Sequence, residues 1–125
     1  MDKGLILVGH GTKFAETDQI MSRYIEAIAQ ITPFEHVEKA YLQLMSPTLE
    51  EAVHKLFAVG IRQIVIFPFL LFNGYQNQVK LPKVLKQLES QYDGLQFECL
   101  NVIGYDEQFA LLVSDKIQRY TEDNL

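Results

Sequence analysis

Of the three histidines in this 125-residue chain, one is set apart by its neighbours. His10 follows the apolar run Leu5-Ile6-Leu7-Val8, sits between Gly9 and Gly11, and is followed by Thr12 and Lys13. A short run of that composition reads as a buried strand. Glycine on both sides permits close backbone approach and unusual dihedrals, so an imidazole at the strand's end can be presented into a cleft. There it can accept a proton near neutral pH or ligate a divalent metal. The alternative is a tight strand-to-helix turn with no chemistry; position and flanks favour the chemical role.

A second candidate lies in the amide-rich segment Asn73, Gly74, Tyr75, Gln76, Asn77 and Gln78. With Phe72 and Tyr75 it could line a pocket for a flat ligand, or it could be a solvated loop capping the next helix. His36, at a strand start, and His54, inside a helical pattern, read as ordinary surface or partly buried residues. The Gly9–Lys13 segment lacks the spacing of a G-x-G-x-x-G or Walker loop, and no G-x-S-x-G is present. Nucleotide binding and serine hydrolysis therefore have no support. The single Cys99 excludes an internal disulfide and any multi-cysteine metal site, and its apolar surroundings predict a small buried core residue.

The elements that would carry these residues alternate. Residues 4–11 read as strand and turn, and Phe14–Ile31 as a helix with Ile20, Met21, Tyr24, Ile25 and Ile28 at helical spacing. His36–Leu44 is a second strand. The next helix opens with Ser46 as N-cap and Pro47 at its first position, and Gly60 closes it. Arg62–Phe72 is the strongest strand, with regular pairing ending near Pro68. A helix follows from Leu81, then a strand at 95–102, then a helix at 106–120 with Phe109, Leu112, Val113 and Ile117 along one side. Such a β-α-β-α-β-α-β-α order predicts a parallel sheet with helices on both faces and right-handed crossovers. Ligands of such sheets bind beyond the carboxyl ends of the strands, here Gly9–Lys13, Gln43–Pro47 and Leu71–Lys80.

Length and composition are those of one domain, residues 1–125, able to bury a core without disulfides or metals. The net charge of −5 counts against a general nucleic-acid binder. No apolar stretch approaches the roughly 20 residues of a membrane span. The first residues carry one lysine, a very short apolar run and no cleavage-like site, so a cytoplasmic protein without membrane association is expected.

Five segments in order, LILVGHGTK, YLQLMSPTLEEAV, GIRQIVIFPFLLFNG, LPKVL and VIGYDEQFALLV, resemble the small CbiX-type sirohydrochlorin chelatases and their SirB relatives, the class II chelatases. The resemblance implies a flavodoxin-like chelatase fold with a four-stranded parallel sheet, in a homodimer. It implies insertion of Co²⁺ or Fe²⁺, in some relatives Ni²⁺, into a sirohydrochlorin-like tetrapyrrole for cobalamin or sirohaem synthesis, with no organic cofactor. His10 matches the family's first active-site histidine, in a motif usually written H-G-S-R that here continues Gly11, Thr12, Lys13. Gln43 stands where the second strand often carries an acid. The usual G-x-H-x-x-x-D-[IL]-P is here Gly74-Tyr75-Gln76-Asn77-Gln78-Val79-Lys80-Leu81-Pro82, so Gln76 replaces the second histidine and Lys80 the acid. The implied site is therefore His10 as base and metal contact, with Gly11, Thr12, Lys13, Gln43, Gly74, Tyr75, Gln76 and Lys80 toward the substrate. A glutamine amide is a poor ligand for these metals and takes no proton at neutral pH. A relative that binds a tetrapyrrole or similar anion without inserting metal is the competing expectation; Lys13 and Lys80 suit its anionic rim, whereas Lys83 reads as a solvated helix-start charge.

Overall fold

A computed structural model describes residues 2–124. Strands β1 (Lys3–Gly9), β2 (His36–Tyr41), β3 (Gln63–Pro68) and β4 (Gln96–Cys99) form one sheet in the order β2-β1-β3-β4. Every pairing in it is parallel. Helices α1 (Glu16–Ile31), α2 (Leu49–Ala58), α3 (Leu81–Gln91) and α4 (Glu107–Asn124) alternate with the strands. The expected α/β alternation is present, in the strand order of flavodoxin-like sheets, which reverses direction between β1 and β3.

The side-chain period of two divides the sheet's residues between its faces. Ile6, Val8, Ile64 and Ile66 pack with Val53 and Leu56 of α2 and with Leu81, Leu85 and Leu88 of α3. On the opposite face Leu7 and Tyr41 pack with Met21 of α1, with Ile25, Ile28, Phe67 and Phe69 around them. Both faces of β1 are thus apolar, which explains why its sequence is a continuous hydrophobic run. Each such side chain contributes about 1.5–3 kcal/mol when fully buried.

Several boundaries differ from those expected. β3 does end at Pro68, but β2 stops at Tyr41 and β4 at Cys99. Helix α2 is capped by Thr48, not Ser46. The Thr48 hydroxyl accepts from the Glu51 N–H at 3.2 Å, and Glu51 accepts from the Thr48 N–H at 2.8 Å. This reciprocal capping box satisfies two otherwise orphaned donors, while Ser46 and Pro47 remain in the loop ahead of it, joined by a cis peptide. Gly60 follows the last helical turn with φ +95°, the conformation for which a helix end uses glycine.

Two expectations fail at the far edge of the sheet. Cys99 is exposed rather than buried: it ends the edge strand β4, of which only Phe97 is partly buried. The last helix forms, but it is not a covering layer: none of the described residues of α4 is buried.

Candidate functional site

The site lies where the strand order reverses, beyond the carboxyl ends of β1 and β3. His10 is the first residue past β1 and is exposed. It lines an open cavity of about 260 Å³ together with Gly9, Gly11, Met21, Tyr24, Tyr41, Phe69 and Leu70. Tyr24, Tyr41 and Phe69 give part of the wall an aromatic lining, and Tyr24 and Phe69 meet with ring centroids 4.9 Å apart. This is the crevice in which open parallel sheets hold ligands.

Gly11 has φ +96°, and a Cβ there would overlap the carbonyl oxygen of Gln43. The glycine therefore permits the loop after β1 to lie directly against the loop after β2. Gly9 is also crowded, since an added Cβ would stand 2.9 Å from Met21 Cε. Thr12 is engaged in its own turn. Its hydroxyl accepts from the Phe14 N–H at 3.1 Å and shares a hydrogen bond with Thr17. Lys13, the next residue along the loop, is exposed and does not line this cavity or the neighbouring one.

A second cavity, of about 240 Å³, adjoins the first across Tyr41. Gln43, Gln76 and Lys80 line it, with Thr48 and Glu50 opposite. The structure thus brings Gln43, Gln76 and Lys80 together, while His10, Gly11 and Thr12 line the neighbouring cavity. Gln76 opens a π-helical turn (Gln76–Lys80) that runs directly into α3, closed by the Leu81 N–H on the Gln76 carbonyl. The side-chain oxygen of Gln76 is buried without a hydrogen-bond partner. Buried polar atoms normally have partners, so this amide is suited to accept from a bound group. Gly74 and Tyr75 are exposed on the loop leading in. Asn77 holds that loop: its Oδ1 accepts from the Gly74 N–H at 2.7 Å, and its Nδ2 donates to Asn73 at 2.8 Å. Those two amides shape the loop rather than the pocket.

One group near the site could not be read from sequence. Asp18 of α1 accepts from the Tyr41 hydroxyl at 2.7 Å and pairs with Lys39 at 2.9 Å. Lys39 also donates to Ser22 at 2.8 Å. The hydrogen bond from Lys39 holds the Asp18 carboxyl below its usual range, with Tyr41 adding to it. Burial, then Asp18, pushes the Tyr41 phenol far above its ordinary value, so it stays protonated. The network fixes the start of α1, and with it one wall of the His10 crevice. Its members are distant in sequence and no local pattern links them.

Among the described residues, no three His, Cys, Asp or Glu side chains converge as a resident metal would require. The site instead offers one accessible imidazole above aromatic walls, beside a cavity lined with amides and a lysine. A flat molecule with apolar faces and an acidic edge would complement it.

An open parallel sheet with its crevice at the switch point defines a single-domain α/β protein of the doubly wound class. The CbiX family model matches residues 4–120, and the chain belongs to that family. It is 34% identical over 89 residues to a sirohydrochlorin cobaltochelatase of Methanopyrus kandleri, covering 71% of this chain and 62% of that protein. It is 30% identical over 127 residues to a sirohydrochlorin cobaltochelatase of Saccharolobus islandicus, covering 96% of this chain and 98% of the relative. The sirohydrochlorin chelatase SirB of Bacillus subtilis subspecies spizizenii, solved in complex with cobalt, superposes with a TM-score of 0.89 at 22% identity. That match covers 95% of this chain and 51% of SirB, so the chain spans about half of SirB's length.

Proposed function

We propose that this chain inserts a divalent metal into sirohydrochlorin or a closely similar tetrapyrrole, with Co²⁺ or Fe²⁺ as the metal substrate and Ni²⁺ as a further candidate. The observation that carries the reading is His10: in a chain matched to CbiX over residues 4–120, the glycine-flanked imidazole opens onto the crevice at the switch point. Insertion releases two protons from pyrrole N–H groups for each metal bound, so a base is needed near the macrocycle's centre. His10 fills that role and offers the metal a ligand weak enough to release it. Tyr24 and Phe69 give the macrocycle an apolar wall. Lys13 and Lys80 pair with carboxylates at its rim. Gln43 and Gln76 orient the macrocycle or metal-bound water, and the unpartnered Gln76 oxygen is free to accept a hydrogen bond. Gly11 lets the two loops approach, and Thr12 shapes the turn that carries His10. Tyr75 extends the loop rim.

Mixing the protein with sirohydrochlorin and Co²⁺ and following the absorption spectrum tests this reading. Metal insertion faster than the uncatalysed rate is expected. Tight binding of the tetrapyrrole with no acceleration would instead establish the second reading, a binder without insertion, which the neutral Gln43 and Gln76 and the cationic Lys80 favour. A homodimer in the cytoplasm, using no organic cofactor, completes the proposal. Among the described residues no helix is long and apolar enough to cross a membrane, and the net charge of −5 argues against nucleic acid as a partner.

A further inference from the structure

Among the described residues, Leu44 is the one non-glycine with a positive φ, +63°. At Gly11, Gly60, Gly94 and Gly104 the chain meets the same demand with glycine, which has no Cβ to crowd the neighbouring carbonyl. The Met45 N–H closes back onto the Gln43 carbonyl at 2.8 Å, so Leu44 is the centre of a three-residue turn. With a positive φ, such a turn is the rare and strained form. The core gives this leucine no packing: it is 62% exposed and joins neither apolar cluster of the sheet. A lone exposed leucine is ordinary, and so is a left-handed turn built on glycine or asparagine. A leucine that strains its backbone and still stands in solvent is explained by neither.

The turn sets this side chain at the second cavity. Successive residues of an extended strand point to opposite faces, yet Gln43, Leu44 and Met45 all line this one cavity. The surrounding backbone holds the loop in that form. The Leu42 N–H donates to the Gly9 carbonyl and the Tyr41 N–H to the Pro47 carbonyl, each at 3.0 Å. The Gln43 carbonyl rests directly over Gly11. Strain of this kind persists where its surroundings over-determine it, and it gathers at ligand sites. The lining combines apolar Leu44, Met45 and Val84 with polar Gln43, Gln76 and Lys80. A ligand arm with a hydrocarbon stem and an acidic tip suits that combination.

We infer that Leu44 is a substrate-contact residue, its side chain covering the hydrocarbon stem of an acidic arm at the edge of the macrocycle. The contact rests on the tetrapyrrole reading above and adds to it an apolar determinant of affinity. It also explains why a position that glycine would fill at lower cost carries leucine: the fold bears the strain, and the ligand uses the side chain.

Two measurements on the same variants test this. Titrating the metal-free protein with sirohydrochlorin gives affinity, and urea unfolding followed by far-UV circular dichroism gives stability. Leu44→Gly and Leu44→Asn both suit the left-handed backbone, so neither should unfold at lower urea than the wild type. Each should nevertheless bind sirohydrochlorin about tenfold more weakly, the loss expected when one leucine is no longer covered. Leu44→Met, which keeps a flexible apolar side chain, should bind within about twofold of the wild type. Unfolding midpoints lowered in both Leu44→Gly and Leu44→Asn would show that the leucine serves the fold, and would overturn the inference. Unchanged affinity in those two variants would remove Leu44 from the contact while leaving the chelatase reading intact. A wild-type chain that binds no sirohydrochlorin would overturn the inference together with the functional reading.

Discussion

Replacing Gly11 with alanine probes the contact that joins the two halves of the site, and Gly60 supplies the control. The two glycines have nearly the same positive φ, +96° and +95°, but different surroundings. An added Cβ at Gly60 meets nothing within 4 Å, whereas at Gly11 it overlaps the Gln43 carbonyl. Gly60→Ala therefore pays only for the left-handed backbone, about 1–2 kcal/mol. Gly11→Ala adds an overpacking cost of about 1–3 kcal/mol, because the Cβ position is fixed by the main chain and the Gln43 carbonyl it meets is itself backbone, so neither can rotate away. With a urea slope of about 1.5 kcal/mol per molar, the unfolding midpoint of Gly11→Ala should lie roughly 1 M below that of Gly60→Ala. Urea titrations followed by far-UV circular dichroism measure both. Gly11→Ala should also slow metal insertion by parting the His10 loop from the Gln43 loop, while Gly60→Ala should not. Equal midpoints for the two variants would refute the close approach of the loops.

Three other substitutions report on the site. His10→Ala should lower the insertion rate by about 10²-fold or more, the usual worth of a general base, while leaving sirohydrochlorin binding measurable by titration. An unchanged rate would remove His10 from the mechanism. Gln76→His should tighten Co²⁺ binding in calorimetry, since an imidazole replaces an amide beside the crevice; no change would mean that position 76 does not face the metal. For Asp18→Asn the effect should depend on pH. The folded carboxyl titrates below its unfolded value, so its contribution is present above about pH 4 and is lost as pH falls through the lower folded value. The gap in urea midpoint between wild type and Asp18→Asn should therefore be wide at pH 7 and narrow toward pH 3. A gap that stays constant across that range would contradict the assignment.

β1 and β3 were legible in the sequence because burial on both faces leaves an unbroken apolar run, and Pro68 marked its own boundary. The place of His10 at the end of β1 was legible because its glycines and the apolar run before it are local facts. The Thr48-x-x-Glu51 capping box was also written in the sequence, but Ser46-Pro47 just ahead carries a competing helix-start signal. Periodicity showed that α4 has an apolar side, but not that this side stays exposed in the chain. Cys99 was misread because an apolar neighbourhood in sequence does not reveal that its strand lies at the sheet edge. The Asp18, Lys39 and Tyr41 network and the unpartnered oxygen of Gln76 depend on which segments the fold brings together.

The π-helical turn at Gln76–Lys80 makes the second cavity sensitive to insertions and deletions. Such a turn holds one more residue than the α-helical turn it replaces. Deleting a single residue within it would let α3 continue as regular helix, and the chain ahead would rotate by about 100° around the helix axis. Gln76 would leave the cavity it shares with Gln43, although every side chain of the core remained in place. The composition of this cavity is therefore set by the number of residues between Gly74 and Leu81 as much as by their identity.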